Sequence, residues 1–157
     1  MLVALAALTL LVACGGDDNG DGGAAGDDGG TDAQALSASL TDTECTAEGP
    51  ESVPAGPLSI AVANDTDAAA RFELLRVDQS ATAADLLAYV EGERLSIGDG
   101  QQPSWPPPYA AVVDQIPVRA LWDANLTADV TPGTYGVVCF VAPPPTALYL
   151  ATTFEVR

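Results

Sequence analysis

The chain contains no histidine and no lysine; its five basic residues are all arginine, set against 22 acidic ones, for a net charge of −17 at pH 7. Without histidine, the commonest general base is missing, along with the Ser-His and Cys-His nucleophile pairs and the commonest transition-metal ligand. Without lysine, Schiff-base chemistry is excluded. What remains for catalysis is a set of carboxylates scattered singly along the chain, so enzyme activity is not expected. An acidic excess of this size also repels phosphate, which disfavours nucleic acid as a partner, and it disfavours an anionic lipid surface bound through a basic patch. Plain solubility accounts for the charge adequately. Methionine occurs once, as Met1, and cysteine three times, as Cys14, Cys45 and Cys139.

Residues 1–13 carry no charge and are almost wholly apolar. The run is shorter than the about 20 residues a membrane-spanning helix needs, and has the length of a signal-peptide core. No Lys or Arg precedes it, so a few basic residues are expected upstream of Met1. Leu11-Val12-Ala13-Cys14 resembles the lipobox of bacterial lipoproteins. That resemblance implies cleavage after Ala13, a diacylglycerol thioether on Cys14, and anchorage on the extracytoplasmic face of a cell-envelope membrane. The next stretch, to residue 35, is rich in Gly and Asp and has nothing to bury, as expected for a flexible tether in a secreted, acidic lipoprotein. Its Asp order lacks the regular spacing of a calcium-binding repeat.

From residue 36 to 157 the pattern changes to short apolar runs punctuated by Pro, Gly, Asn and Asp, which is an all-β signature. Strands are predicted at Leu36–Leu40 running on to Cys45, and at Leu58–Ala63, Ala70–Val77, Ala110–Val113, Val118–Leu126, Thr134–Val141 and Leu148–Val156. The Asn64-Asp65-Thr66-Asp67 turn suggests that the second and third strands form a hairpin. Val118, Ala120, Trp122, Ala124 and Leu126 share one parity and are expected to face the core. Thr82, Asp85 and an apolar stripe over Leu86, Leu87, Tyr89 and Val90 predict one short helix over 82–91, ended by Gly92. The proline-rich run before Tyr109 reads as a surface loop in which Trp105 either plugs the sandwich edge or is exposed. About seven strands in this length is the size of a Greek-key β-sandwich.

Pro132-Gly133-Thr134-Tyr135-Gly136-Val137-Val138-Cys139 resembles the penultimate strand of cupredoxins, and the Val53-Pro54-Ala55-Gly56 turn leading to a strand that ends in Asn64 extends the likeness. The resemblance implies a cupredoxin-like domain with Cys139 at the copper-thiolate position. The other ligands are missing: Ala142 stands where the family has a histidine, the upstream histidine position falls near Ala70 or Arg71, and no methionine lies near Ala147. A type-1 copper centre, built from two imidazoles, a thiolate and a weak axial ligand, is therefore not expected, nor any other metal or cofactor.

With Cys14 assigned to lipid, Cys45 and Cys139 remain as an even pair in an oxidising setting, where a disulfide is expected; the alternative is two free thiols with Cys139 a small core residue. Asn64-Asp65-Thr66 and Asn125-Leu126-Thr127 match the glycosylation sequon, a coincidence of pattern beside a bacterial lipobox, and turn chemistry explains Asn64, Asp65 and Asp67 without invoking calcium. The expected function is that of a surface-tethered, non-catalytic binding or structural module, with a protein partner at the envelope. Copper handling and a hydrolase using two converging carboxylates are the alternatives. Trp105 and Tyr109 form the candidate binding surface, with the Pro143-Pro144-Pro145 loop second.

Overall fold

The computed structural model describes residues 36–142 and 145–157; Cys14 and the leader and tether around it, as well as Pro143 and Pro144, lie outside the described residues. The strands are β1 (Leu36–Leu40), β2 (Cys45–Glu48), β3 (Ser52–Val53), β4 (Gly56–Asn64), β5 (Ala70–Val77), β6 (Ala110–Val118), β7 (Trp122–Val130), β8 (Gly133–Val141) and β9 (Ala147–Val156), with one helix, α1 (Ala83–Gly98), between β5 and β6. They form a four-stranded sheet in the order β2-β1-β4-β7 and a five-stranded sheet in the order β3-β9-β8-β5-β6. The β1–β4 and β3–β9 pairs are parallel and the rest antiparallel. The chain changes sheet at β2–β3, β3–β4, β4–β5, β6–β7 and β7–β8, which makes the domain a Greek-key β-sandwich.

Period-two alternation drives the first sheet: Leu36, Ala38 and Leu40 are buried while Ser37 and Ser39 point outward, and Ile60 and Val62 repeat the pattern in β4. These side chains meet Phe72, Leu74, Tyr135, Val137 and Phe154 of the second sheet in the main core. A smaller core lies on that sheet's other face, where Leu75, Val138, Phe140 and Leu148 pack under Leu86 and Val90 of α1. Because β8 is covered on both faces, its Tyr135–Phe140 stretch is buried without interruption and reads as a continuous apolar run. Gly136 marks the closest approach of the helix: a Cβ there would sit 2.5 Å from Leu86 Cδ2. Tyr135 fixes the turn before β8, its hydroxyl donating to the Thr131 carbonyl (2.9 Å) and accepting from the Thr131 N–H (3.1 Å).

Four expectations change in detail. The run from Leu36 to Cys45 is two strands, because Thr41 closes a turn through its N–H to the Glu44 carbonyl (2.8 Å). β4 and β5 are not a hairpin; they lie in different sheets, and the Asn64–Asp67 turn carries the chain across the sandwich. The predicted helix begins as expected, with a Thr82–Asp85 capping box, but passes through Gly92 to Gly98. Gly92 faces open space there, so nothing but its modest intrinsic penalty opposes the helix. Finally, Ala110–Val118 and Trp122–Val130 are two strands in different sheets, and the turn that carries the chain from one sheet to the other falls inside what reads as a single alternating strand.

Candidate functional site

Cys139 of β8 and Cys45 of β2 are joined by a disulfide that links the two sheets, with a Cα–Cα distance of 6.3 Å. Both residues are buried. The bond lies toward the end of the sandwich where β4 finishes and β5 begins. Here Ala70 pairs with Val141, and the Ala142 N–H donates to the Ala69 carbonyl (2.7 Å). The geometry therefore brings the two alanine positions, 70 and 142, to the strand ends beside Cys139. It also shows why they make no copper centre: two methyl groups supply no donor, and the sulfur is already bonded to Cys45. The residues present do not fit type-1 copper. Among the described residues, no group of three or more Cys, Asp or Glu side chains is placed to hold a metal.

Trp105 and Tyr109 lie elsewhere, on the helix side of the second sheet. The Trp105 indole N–H donates to Glu73 Oε2 (2.7 Å), and its ring meets Phe140 edge-on at 5.0 Å. Glu73 is buried; its other oxygen takes an ion pair from Arg71 Nε (2.7 Å), whose guanidinium lies 4.4 Å from the Phe140 ring centre. A buried carboxylate needs such partners. The Tyr109 hydroxyl donates to the Asp85 carbonyl (2.8 Å), and burial, helped by the Asp85 charge and Tyr89, raises its pKa and holds it protonated. Both aromatics thus spend their polar groups internally, stapling the proline-rich loop and α1 to the sheet.

A second aromatic, expected in the core, is outside it. Leu121 is 68% and Trp122 62% exposed at the tip of the turn that crosses from β6 to β7. Leu121 takes a positive φ of 54°, the left-handed conformation in which a bulky side chain is uncommon. The tip is tied to the β4–β5 turn: the Leu121 N–H donates to the Thr66 carbonyl (3.2 Å). Buried Asn64 is the joint, since its Nδ2 donates to the carbonyls of Ala68 (2.8 Å) and Arg119 (2.9 Å) while its Oδ1 accepts from Thr66 Oγ1 (2.8 Å). The turn Arg119-Ala120-Leu121 lacks the Gly, Asn, Asp or Pro by which turns are recognised. The available signal was Pro117, a residue type confined to edge strands and their ends, two residues before the charged Arg119. The outer face of the first sheet combines small side chains such as Ser37, Ser39 and Ala61 with the polar Glu48, Asp123 and Asn125.

The chain matches no protein-family model and no curated protein. Among solved structures it is similar to auracyanin A, described as a "blue" copper protein from the green thermophilic photosynthetic bacterium Chloroflexus aurantiacus, with 15% identity, a TM-score of 0.45, and coverage of 78% of this chain and 98% of that one. It is also similar to auracyanin from Roseiflexus castenholzii (14%, TM-score 0.39, covering 74% and 94%). For auracyanin B the values are 15% and 0.38, covering 80% and 89%. These are likenesses of overall fold, and the copper named in the first description belongs to that protein.

Proposed function

We propose that this chain is a surface-tethered, non-catalytic lipoprotein whose β-sandwich serves as a binding or structural module and holds no type-1 copper. The observation that carries the proposal is the Cys45–Cys139 disulfide, which occupies the sulfur of Cys139 in a chain without histidine. The absence of both His and Lys removes the usual catalytic bases, and both oxygens of buried Glu73 are engaged by Arg71 and Trp105. The lipobox at Leu11–Cys14 supports anchorage to a membrane through Cys14, and the acidic charge supports a protein partner over nucleic acid.

Two measurements test this reading. Cu(II) added to the purified oxidised protein is expected to give no intense visible absorption and no rise in melting temperature; a blue band would overturn it. In the expressing cell, Cys14→Ser is expected to abolish fatty-acid labelling and release the protein from the membrane fraction. Unchanged labelling would refute the anchor.

A further inference from the structure

We infer that the β6–β7 tip, Leu121 with Trp122, is the docking point of this module for a protein partner that offers an apolar pocket rimmed by Lys or Arg. The inference rests on the binding-module reading above and adds the surface and the partner's chemistry. Of the six large hydrophobic side chains exposed among the described residues, these two are adjacent at the crossover from β6 to β7, at 68% and 62%. Neither belongs to either core. Leu121 also sits at a φ of 54°, where glycine would be accommodated without strain. The fold thus holds a bulky apolar residue outward in a conformation that disfavours one.

The tip is also pre-organised. The Leu121 N–H is held by the Thr66 carbonyl and the preceding turn by Asn64, so little conformational freedom remains to be lost on binding. Tryptophan is among the residues most enriched as interface anchors, and the leucine beside it enlarges the apolar surface on offer. The surroundings define what can approach. Asp65 and Asp67 lie on the turn to which the tip is bonded, Asp123 follows Trp122, and all three are exposed; Asp65 is oriented by Ser39 Oγ (2.7 Å). Arg119 is the one basic residue in the β6–β7 turn. An apolar point within an acidic rim complements a pocket with a basic rim. A second copy of this chain would bring the same acidic rim against it, and an anionic bilayer would be repelled.

The test uses a labelled short Leu/Lys peptide as the partner's surrogate, a Leu/Glu peptide of equal length as control, and the purified full-length protein. The Leu/Lys peptide is expected to bind and shift Trp122 emission to the blue, and the Leu/Glu peptide to do neither. Trp122→Ala should weaken Leu/Lys binding by about tenfold or more, as expected of an interface anchor, and Leu121→Gly should weaken it less while leaving melting temperature unchanged or raised. Asp67→Asn and Asp123→Asn should weaken binding and flatten its salt dependence. Wild-type affinity in both Leu121→Gly and Trp122→Ala would overturn the inference, as would equal binding of the Leu/Glu peptide. So would Leu121-dependent binding to phosphatidylcholine vesicles, or a Leu121-dependent dimer in sedimentation. None of these outcomes bears on the copper or membrane-release tests, so failure here is distinguishable from failure of the module reading.

Discussion

Reducing the Cys45–Cys139 bond should take a large share of the domain's stability with it. The bridge joins residues 94 apart in sequence and fastens the two sheets of the sandwich to each other. Loop-closure entropy for a ring of that length puts the stabilisation at about 4.7 kcal/mol, acting through the unfolded chain, which the bond prevents from expanding. Against a typical total of about 5–15 kcal/mol this is a third or more. With about 2.1 cal/mol/K of unfolding entropy per residue, the domain from Leu36 to Arg157 should melt about 18 °C lower when reduced. The assay is calorimetry on three samples: oxidised wild type, wild type in excess reductant, and the Cys45→Ala/Cys139→Ala variant. The reduced wild type keeps both sulfur atoms, so it isolates the cross-link; the variant adds a cavity at buried Cys139 and should melt slightly lower still. Urea unfolding should also show a steeper slope for the reduced form, because its unfolded chain exposes more surface. A reduced form melting within about 5 °C of the oxidised one would refute the reasoning, since that shift corresponds to little over a quarter of the expected entropy.

Four further outcomes follow from packing and polar geometry. Gly136→Ala should destabilise the domain by about 1–3 kcal/mol through overpacking against Leu86. Adding Leu86→Ala should cost less than the sum of the two single changes, measured as a double-mutant cycle in urea. Asn64→Ala should cost about 2–3 kcal/mol, since it leaves the Ala68 and Arg119 carbonyls and buried Thr66 without their partner. Trp105→Phe should cost about 1–3 kcal/mol by leaving Glu73 Oε2 without a donor, and Glu73→Gln in that background should recover part of it. The Asp85 pKa is lowered by hydrogen bonds from the Thr82 side chain and backbone, so the charged cap contributes fully above the ordinary Asp pKa, and this contribution is lost as pH falls from there through the lowered one. Thr82→Ala should therefore lower the melting temperature by a few degrees at neutral pH and reduce the loss between neutral and acidic pH; an unchanged acid slope would count against the cap.

Sequence alone carried the two-sheet sandwich wherever physical pattern and position coincide. The alternation in β1 and β4, the continuous apolar run of β8 and the Thr82–Asp85 cap are all local signals, and each sits where it was expected. What was hidden depended on tertiary context. The alternation of Val118 to Leu126 is real, but it spans a turn, because Leu121 accepts a left-handed backbone that no residue type announces. Trp122 therefore left the core it was assigned to. The Asn64 turn has the composition of a hairpin loop; its role as a crossover is set by where Asn64 finds carbonyls, on Ala68 and on the distant Arg119. The partners that use up the polar groups of Trp105 and Tyr109 are likewise remote, Glu73 across the sheet and the Asp85 carbonyl on the helix.

The burial of Asn64 also bears on where this protein can be made. Asn64-Asp65-Thr66 is an acceptor pattern for N-linked sugar, and Asn125-Leu126-Thr127 is another. In the folded protein the Asn64 amide nitrogen is shut away between the two layers, while Asn125 stands exposed on a strand. A secretory system that modifies the growing polypeptide meets both before either is protected. A glycan on Asn125 would decorate an open face, whereas one on Asn64 would occupy the joint through which the chain must pass from one sheet to the other. Production in a glycosylating host should then divide the product into a correctly folded fraction and a modified fraction that never closes its sandwich, and Thr66→Ala would not cleanly repair it, since that hydroxyl belongs to the same joint.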